Sequence, residues 1–83
     1  MNQVNKNIQD KYEILINNGI IMINNGDFEG ASENFKSAIK LNSQKYQAYI
    51  NLSNTYILQN KHRFSTDILF DYLLKENFNQ HVA

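Results

Sequence analysis

The side chains that could perform chemistry are few in this chain of 83 residues. Cysteine is absent, so a disulfide, a thiolate metal site and a thiol nucleophile are excluded. His62 and His81 are the two imidazoles, and neither has a carboxylate at metal-ligand spacing. His62 precedes an apolar helical stretch, and it is expected to pack at a turn. The sequence therefore predicts no metal site.

Two pairs of acidic residues are the remaining candidates for acid–base chemistry. Glu29 with Glu33, and Asp67 with Asp71, lie four residues apart. Such pairs are typical of solvated helix faces, whereas catalysis would require desolvation of a carboxyl group. No glycine-rich phosphate loop or nucleophile elbow occurs, and the sequon at Asn51 falls within a predicted helix. We therefore predict a protein that is not an enzyme and uses no cofactor.

The charge balance and the hydropathy narrow the classes of partner. Eight basic and eight acidic residues cancel, and the one basic cluster is the short Lys61–Arg63 segment. A nucleic-acid partner is therefore not expected. The longest apolar run covers only residues 20–23, and the N-terminal segment lacks the apolar core of a signal peptide, so no membrane association is expected. A cytoplasmic location is the resulting prediction.

The elements that must position any site are helices. The segment 28–41 places Phe28, Ala31, Phe35, Ala38 and Ile39 at three- and four-residue spacing. The absence of proline and the same periodicity elsewhere predict four helices in an all-α domain. The other three are a first helix ending at 24–26, a third over about 45–58 and a fourth over about 62–76. Residues 77–83 are expected to fray.

The helix ends carry their own signals. Asn2, Asn5 or Asn7 is a candidate cap for the first helix, Gly26 is expected to close it in a left-handed conformation, and Asn42 or Ser43 is the expected cap of the third helix. The inward faces are then predicted from the spacing. They comprise Val4, Ile8, Tyr12, Leu15, Gly19 and Met22 in the first helix, Tyr49, Leu52, Tyr56 and Ile57 in the third, and Phe64, Ile68, Leu69, Tyr72 and Leu73 in the fourth.

The chain also repeats itself at an offset of 34 residues. The segment 11–17 aligns with 45–51. Lys, Tyr, Ile and Asn are identical at positions 11/45, 12/46, 16/50 and 17/51. Ile23 aligns with Ile57, and Phe35 aligns with Leu69. A helix-turn-helix unit used twice is typical of stacked helical hairpins.

These residues resemble the tetratricopeptide repeat (TPR) family. The residues that carry the resemblance are Leu15, Gly19, Met22, Gly26, Phe28, Ala31, Phe35 and Ala38 in one unit, and Tyr49, Asn51, Leu52, Asn54, Tyr56, Ser65 and Leu69 in the other. The departures are Asn18, Ser43, Asn60 and Tyr72. The resemblance implies one domain over 1–83, with repeat one at about 12–45 and repeat two at about 46–79. It also implies a right-handed stack of two antiparallel helix hairpins, a fragment of an α-solenoid without catalytic activity.

The resemblance further implies a partner groove along the first helix of each unit. Its expected lining is Glu13, Ile16, Asn17, Ile20, Ile23 and Asn24, followed by Gln47, Ile50, Asn51, Asn54 and Ile57. Amide side chains can bind the backbone of an extended peptide, and isoleucines can accept its apolar side chains. The alternative is that the asparagines are simply solvated and the isoleucines bury against a neighbouring helix. Family members that bind chaperone C-termini carry Lys and Asn at the positions of Ile16 and Ile20, so this client is not expected.

The fourth helix is predicted to be a self-association surface. Ile68, Phe70 and Leu74 occupy the positions that Asn34, Lys36 and Lys40 hold one unit earlier. Together with Tyr72 they make the helix apolar nearly all round, and such a helix requires burial on more than one side. A second copy forming a C2 dimer, or further repeats of a longer chain, would cover this face. The alternative is that the tail folds back and covers it with Phe78 and Val82.

The sequence thus favours a non-catalytic protein–protein interaction or scaffold module that binds a protein or peptide and self-associates through its last helix. Two other functions stay open. The chain could be the accessory N-terminal segment of a larger enzyme, such as a transferase. It could also be a secretion or pilus assembly chaperone module that holds apolar segments of a client.

Overall fold

The computed structural model describes the backbone of residues 2–82 and the side chains of residues 6–76. It contains four α-helices and, over this range, no strand: α1 (Asn2–Asn24), α2 (Phe28–Leu41), α3 (Tyr46–Leu58) and α4 (His62–Val82). The predicted all-α class with four helices is confirmed. Helices that follow one another in the chain pack side by side, α1 on α2, α2 on α3 and α3 on α4.

Helix α2 forms where its sequence signals predict. Asp27 is its N-cap, and the carboxylate Oδ1 accepts a hydrogen bond from the Gly30 backbone N–H at 2.9 Å. Glu29 in the first turn and Lys40 in the last turn suit the helix dipole. Phe35 is fully buried on the inward face, and its ring lies so close to Gly19 that a Cβ atom there would meet it at 2.5 Å. The missing side chain at Gly19 therefore lets α1 and α2 approach closely.

The two turns that follow α1 and α3 have the same geometry. Gly26 adopts a φ of 81° and Asn60 a φ of 62°. The N–H groups of Gly26 and Asp27 donate to the carbonyl oxygens of Ile23 and Met22 at 2.9 and 2.8 Å. At the equivalent positions, the N–H groups of Asn60 and Lys61 donate to the carbonyl oxygens of Ile57 and Tyr56 at the same two distances. Asparagine tolerates the left-handed region better than most residues, so it can replace glycine in the second turn.

The start of α3 differs from the prediction. Its N-cap is Lys45, which makes no side-chain capping bond, so the expectation that Asn42 or Ser43 caps this helix is wrong. Asn42 instead ends α2, and its Oδ1 accepts a bond from the Gln44 N–H at 3.1 Å. The capping acceptor comes from another helix, because the Tyr12 hydroxyl oxygen of α1 accepts a hydrogen bond from the Ala48 N–H at 3.0 Å.

Helix α4 is longer than predicted and is attached on one side. It continues to Val82, so the backbone over residues 77–82, where fraying was predicted, is helical and does not turn back toward the domain. The Phe78 and Val82 side chains lie outside the described residues, as do those of Val4 and His81. Among the described residues, Cα atoms of α4 lie within 8 Å of Cα atoms of α3, but not of Cα atoms of α1 or α2.

Helix α1 begins at Asn2, so Asn5 and Asn7 lie within it and neither caps it. Four residues that were predicted to face inward are exposed: Ile8, Ile57, Phe64 and Leu73. The core instead runs along the α1–α2–α3 seam and comprises Tyr12, Ile16, Ala31, Phe35, Ala38, Ala48 and Leu52.

The molecule is a thin slab. Its Cα atoms span 38 × 30 × 12 Å. Because the Cα atoms of a single helix lie on a cylinder only about 4.6 Å in diameter, the helices are staggered across this thickness rather than coplanar. Helix α3 accordingly contacts α1 as well as α2.

Candidate protein-interaction surfaces

The predicted groove residues lie partly together. Glu13, Ile16 and Asn17 of α1 and Gln47 of α3 line one depression of about 200 Å³. Ile16 is only 3% exposed and forms the floor of this depression, so a partner would reach little of its side chain. Asn17 is exposed at the rim.

The remaining groove residues divide by burial. Ile23 and Asn51 are half-buried, and Ile23 packs against the core. The others are exposed on α1 and α3: Ile20, Asn24, Ile50, Asn54 and Ile57. Three isoleucines and several amides are thus open to solvent along the first helix of each unit, which is the chemistry that an extended peptide requires.

The predicted self-association residues of α4 also divide. Phe70 and Leu74 are exposed. Ile68 is half-buried against the core, and Tyr72 is half-buried with its ring 4.9 Å from that of Tyr49. Ile68 and Tyr72 therefore help to attach α4 to α3, and Leu73 lies on the exposed face in their place.

A polar network fixes the register of α4 on α3. The Tyr49 hydroxyl donates to the Ser43 carbonyl at 3.3 Å and accepts from the Lys75 ammonium at 2.8 Å. The bond to Tyr49 raises the pKa of Lys75, and Asp71, 3.7 Å away, acts in the same direction. Nearer the other end, the Ser53 and Ser65 hydroxyls share a buried hydrogen bond of 2.6 Å.

A second depression, of about 450 Å³, lies along the seam between α2 and α3. Two of its lining residues, Ser32 and Gln59, each have a buried side-chain oxygen without a hydrogen-bond partner among the described residues. Carboxylates and ammonium groups both border it, since Glu29, Glu33, Lys36 and Lys61 are all lining residues. This mixture of charges selects neither an anion nor a cation.

The acid pairs carry no sign of acid–base chemistry. Glu33 is exposed and lies 3.9 Å from Lys36, and Asp71 is exposed beside Lys75. Within residues 6–76, no group of three or more His, Cys, Asp and Glu side chains is placed to hold a metal ion. Among the described helices, none is both long and apolar enough to cross a membrane.

Some exposed apolar residues were not assigned to any surface by the sequence reasoning. They are Ile14 and Ile21 on α1, Leu41 on α2, and Tyr46 and Leu58 on α3. The signal that could have found most of them is the 34-residue offset, because several align with residues that are buried in the other unit.

Comparison with family models, with curated proteins and with solved structures gives no match. The TPR resemblance therefore stays a prediction from the sequence.

Proposed function

We propose that this chain is a non-catalytic protein-interaction module, built as a right-handed TPR-like stack of two helix hairpins, that self-associates through the exposed face of α4. The observation that carries the proposal is the cluster of Phe70, Leu73 and Leu74, all of which are more than half exposed. Burying one such side chain stabilises a complex by about 1.5–3 kcal/mol before ordering costs. A cluster of this kind on a helix that is attached on one side marks an interaction surface.

Two further features support the stack. The two turns match at the offset of the sequence repeat, in both backbone hydrogen bonds and left-handed φ values. The helices contact mainly their neighbours in the chain, as expected for stacked hairpins.

The test is the solution mass of the purified chain, measured by light scattering after gel filtration over a wide concentration range. We expect a species larger than one chain. Phe70→Lys with Leu74→Lys, which copies the lysines found one unit earlier, should shift the population to monomer without loss of helicity. The matched control is Glu29→Gln with Glu33→Gln, which adds the same net charge on α2 and should leave the mass unchanged. A wild-type chain that stays monomeric at its solubility limit would reject the proposal.

A second surface fits the same class of function. The depression beside Asn17 and the exposed Ile20 and Ile50 suit an extended peptide with apolar side chains. Screening a library of extended peptides against the chain tests this groove. Binding that is lost in Asn54→Ala and retained in Phe70→Lys would assign the peptide to the groove, and a screen without a binder would count against it.

A further inference from the structure

The contact between the two units is the starting point of this inference. Tyr12 and Ile16 of α1 and Ile39 of α2 lie on the side of unit one that meets α3. Tyr12 is 0% exposed and Ile16 is 3% exposed, and Ile39 packs against the core. From unit two, Ala48, Leu52 and Thr55 are buried on the facing side of α3.

The equivalent surface of unit two lies at one end of the molecule, and none of the described side chains covers it. The residues 34 positions after Tyr12, Ile16 and Ile39 are Tyr46, Ile50 and Leu73. These three, which we call the trailing edge, are 63%, 43% and 56% exposed. Phe70 borders this edge, because its equivalent Lys36 lines the α2–α3 seam. The trailing edge thus repeats, in apolar residues, the surface on which α3 is seated.

The complementary surface recurs at the opposite end. The residues 34 positions before Ala48, Leu52 and Thr55 are Ile14, Asn18 and Ile21, which we call the leading edge. Ile14 and Ile21 are 56% and 55% exposed, and Asn18 is also exposed. Asn18 stands at the position that Leu52 holds in the contact between the two units, so the middle of the leading edge is less apolar than the middle of that contact.

The helix lengths match this pairing. The internal helices α2 and α3 have 14 and 13 residues, whereas the end helices α1 and α4 have 23 and 21. Because the short turns reverse the chain at each step, the N-terminus of α1 and the C-terminus of α4 extend at the same end of the slab. The extra turns of the two helices would lie side by side if α1 of one copy were placed on α4 of another.

We propose that a second copy of the chain docks head to tail, with its leading edge on the trailing edge of the first, in the register that α3 uses on α1 and α2. The proposal rests on the self-association proposed above, but it assigns α1 rather than a second α4 as the facing helix. This contact is heterologous: each copy keeps one free edge, so association continues beyond a dimer unless the ring closes.

The test uses one variant at each edge, Ile21→Glu and Leu73→Glu. Both side chains are more than half exposed, so the monomer should keep its fold, as checked by circular dichroism and melting temperature. Each variant alone should associate at least about tenfold more weakly than the wild type, because a buried carboxylate has no partner in the contact. An equimolar mixture should form one 1:1 dimer that does not grow further, because each variant keeps the edge that the other has lost.

The competing geometry gives a different result. If two copies meet α4 to α4, Ile21→Glu associates as strongly as the wild type and mixing restores nothing; that result overturns the head-to-tail contact and leaves the proposed function standing. If the wild type is monomeric, both proposals fail. Should Ile21→Glu melt earlier than the wild type, Ile14→Glu replaces it in the same mixing experiment.

A variant that strengthens the contact gives an independent readout. Asn18→Leu places at the middle of the leading edge the residue that Leu52 provides inside the molecule, and it should tighten association about tenfold. The same substitution in a chain that carries both Ile21→Glu and Leu73→Glu should have no effect on the solution mass. No tightening in the otherwise wild-type chain would overturn the register.

Discussion

Tyr12 connects the two units through one hydroxyl group. Its oxygen accepts the Ala48 N–H at a helix start whose own N-cap residue supplies no side-chain acceptor. The ammonium group of Lys45, at that N-cap position, lies 5.1 Å from the Tyr12 ring centroid. A residue at the middle of α1 therefore determines where α3 begins.

Tyr12→Phe should lower the free energy of unfolding by about 1–3 kcal/mol, because the buried Ala48 N–H loses its acceptor. Thermal melting would show this as a decrease of about 4–8 °C per kcal/mol. The matched control is Tyr46→Phe, the equivalent exposed tyrosine, which should change the stability of the monomer by no more than about 0.5 kcal/mol. Equal losses in both variants would show that the hydroxyl of Tyr12 has no capping role.

The same side chain predicts a response to alkaline pH. Burial raises the pKa of Tyr12 above 10.0, against the opposing effect of the Ala48 hydrogen bond. Above about pH 10 the unfolded chain releases this proton while the folded chain retains it, so the stabilising contribution is full below that pH and is lost as the pH rises toward the folded-state value. Chemical denaturation at increasing pH should show a shallower alkaline decline in Tyr12→Phe than in the wild type.

A single substitution before the start of α4 should increase the stability of the fold. Lys61 occupies the position that Asp27 holds before α2, so the first turn of α4 lacks an equivalent carboxylate cap. Lys61→Asp should raise the free energy of unfolding by about 0.5–2 kcal/mol by accepting a bond from the Phe64 N–H. Lys61→Ala separates the loss of the lysine charge from the new cap, and Asp27→Ala should show the reverse change. A gain in Lys61→Ala as large as that in Lys61→Asp would exclude capping as the cause.

At the scale of elements, the two hairpins are held together differently at equivalent positions. A buried hydrogen bond joins α3 to α4, whereas α1 and α2 pack closely through small residues. Ser53 and Ser65 align with Gly19 and Ala31. In the first hairpin the small residues leave room for the Phe35 ring, whereas in the second the two hydroxyls satisfy each other.

Removing both of these hydroxyls should cost less than the sum of the costs of removing each one alone. Ser53→Ala or Ser65→Ala alone should lower stability by about 1–3 kcal/mol, because the remaining hydroxyl is buried without a partner. The double variant should lie closer to the wild type than the sum of the single losses, which a double-mutant cycle in urea measures. Additive losses would indicate that the two hydroxyls act independently.

The sequence predicted the elements better than their orientations. The positions of α2 and of the turn before it followed from Gly26 and the spacing around Phe35, because these signals are local. The inward face of α4 was partly wrong, because a helix with apolar residues nearly all round has no periodicity that selects one side. The contacts of Tyr49 and Ser53 on α3 decide that Tyr72 and Ser65 face inward and Leu73 outward.

The capping role of Tyr12 and the leading and trailing edges could not be predicted without the structure. A hydrogen bond between residues 12 and 48 leaves no local signal at either position. The groove residues could be placed on the correct helices from the repeat, but the burial of Ile16 depends on how closely α3 approaches α1. Function, location and partners remain predictions.

At the scale of the whole molecule, the charge is balanced and the exposed edges are apolar. The formal net charge is zero, and the described ion pairs lie on the outer surfaces of α2 and α4. Association between copies should therefore depend on apolar burial and little on electrostatic steering.

Raising the sodium chloride concentration should leave the association constant within about threefold of its low-salt value, because exposed charges contribute little to the contact. Sodium sulfate at the same ionic strength should strengthen association, since it favours burial of apolar surface. Sedimentation velocity in the two salts measures both effects. A steep loss of association in sodium chloride would indicate a charge-driven contact.

The 12 Å thickness of the slab has a consequence for how such a chain can gain stability. In a globular domain, added residues enlarge the cross-section and shelter an ever deeper interior. An array of helices whose Cα atoms span only 12 Å in one direction encloses little interior, so most added residues remain near its surface. The fraction of residues at the surface falls only when further helices are added along the row, either by duplication of the unit or by binding of a neighbouring molecule.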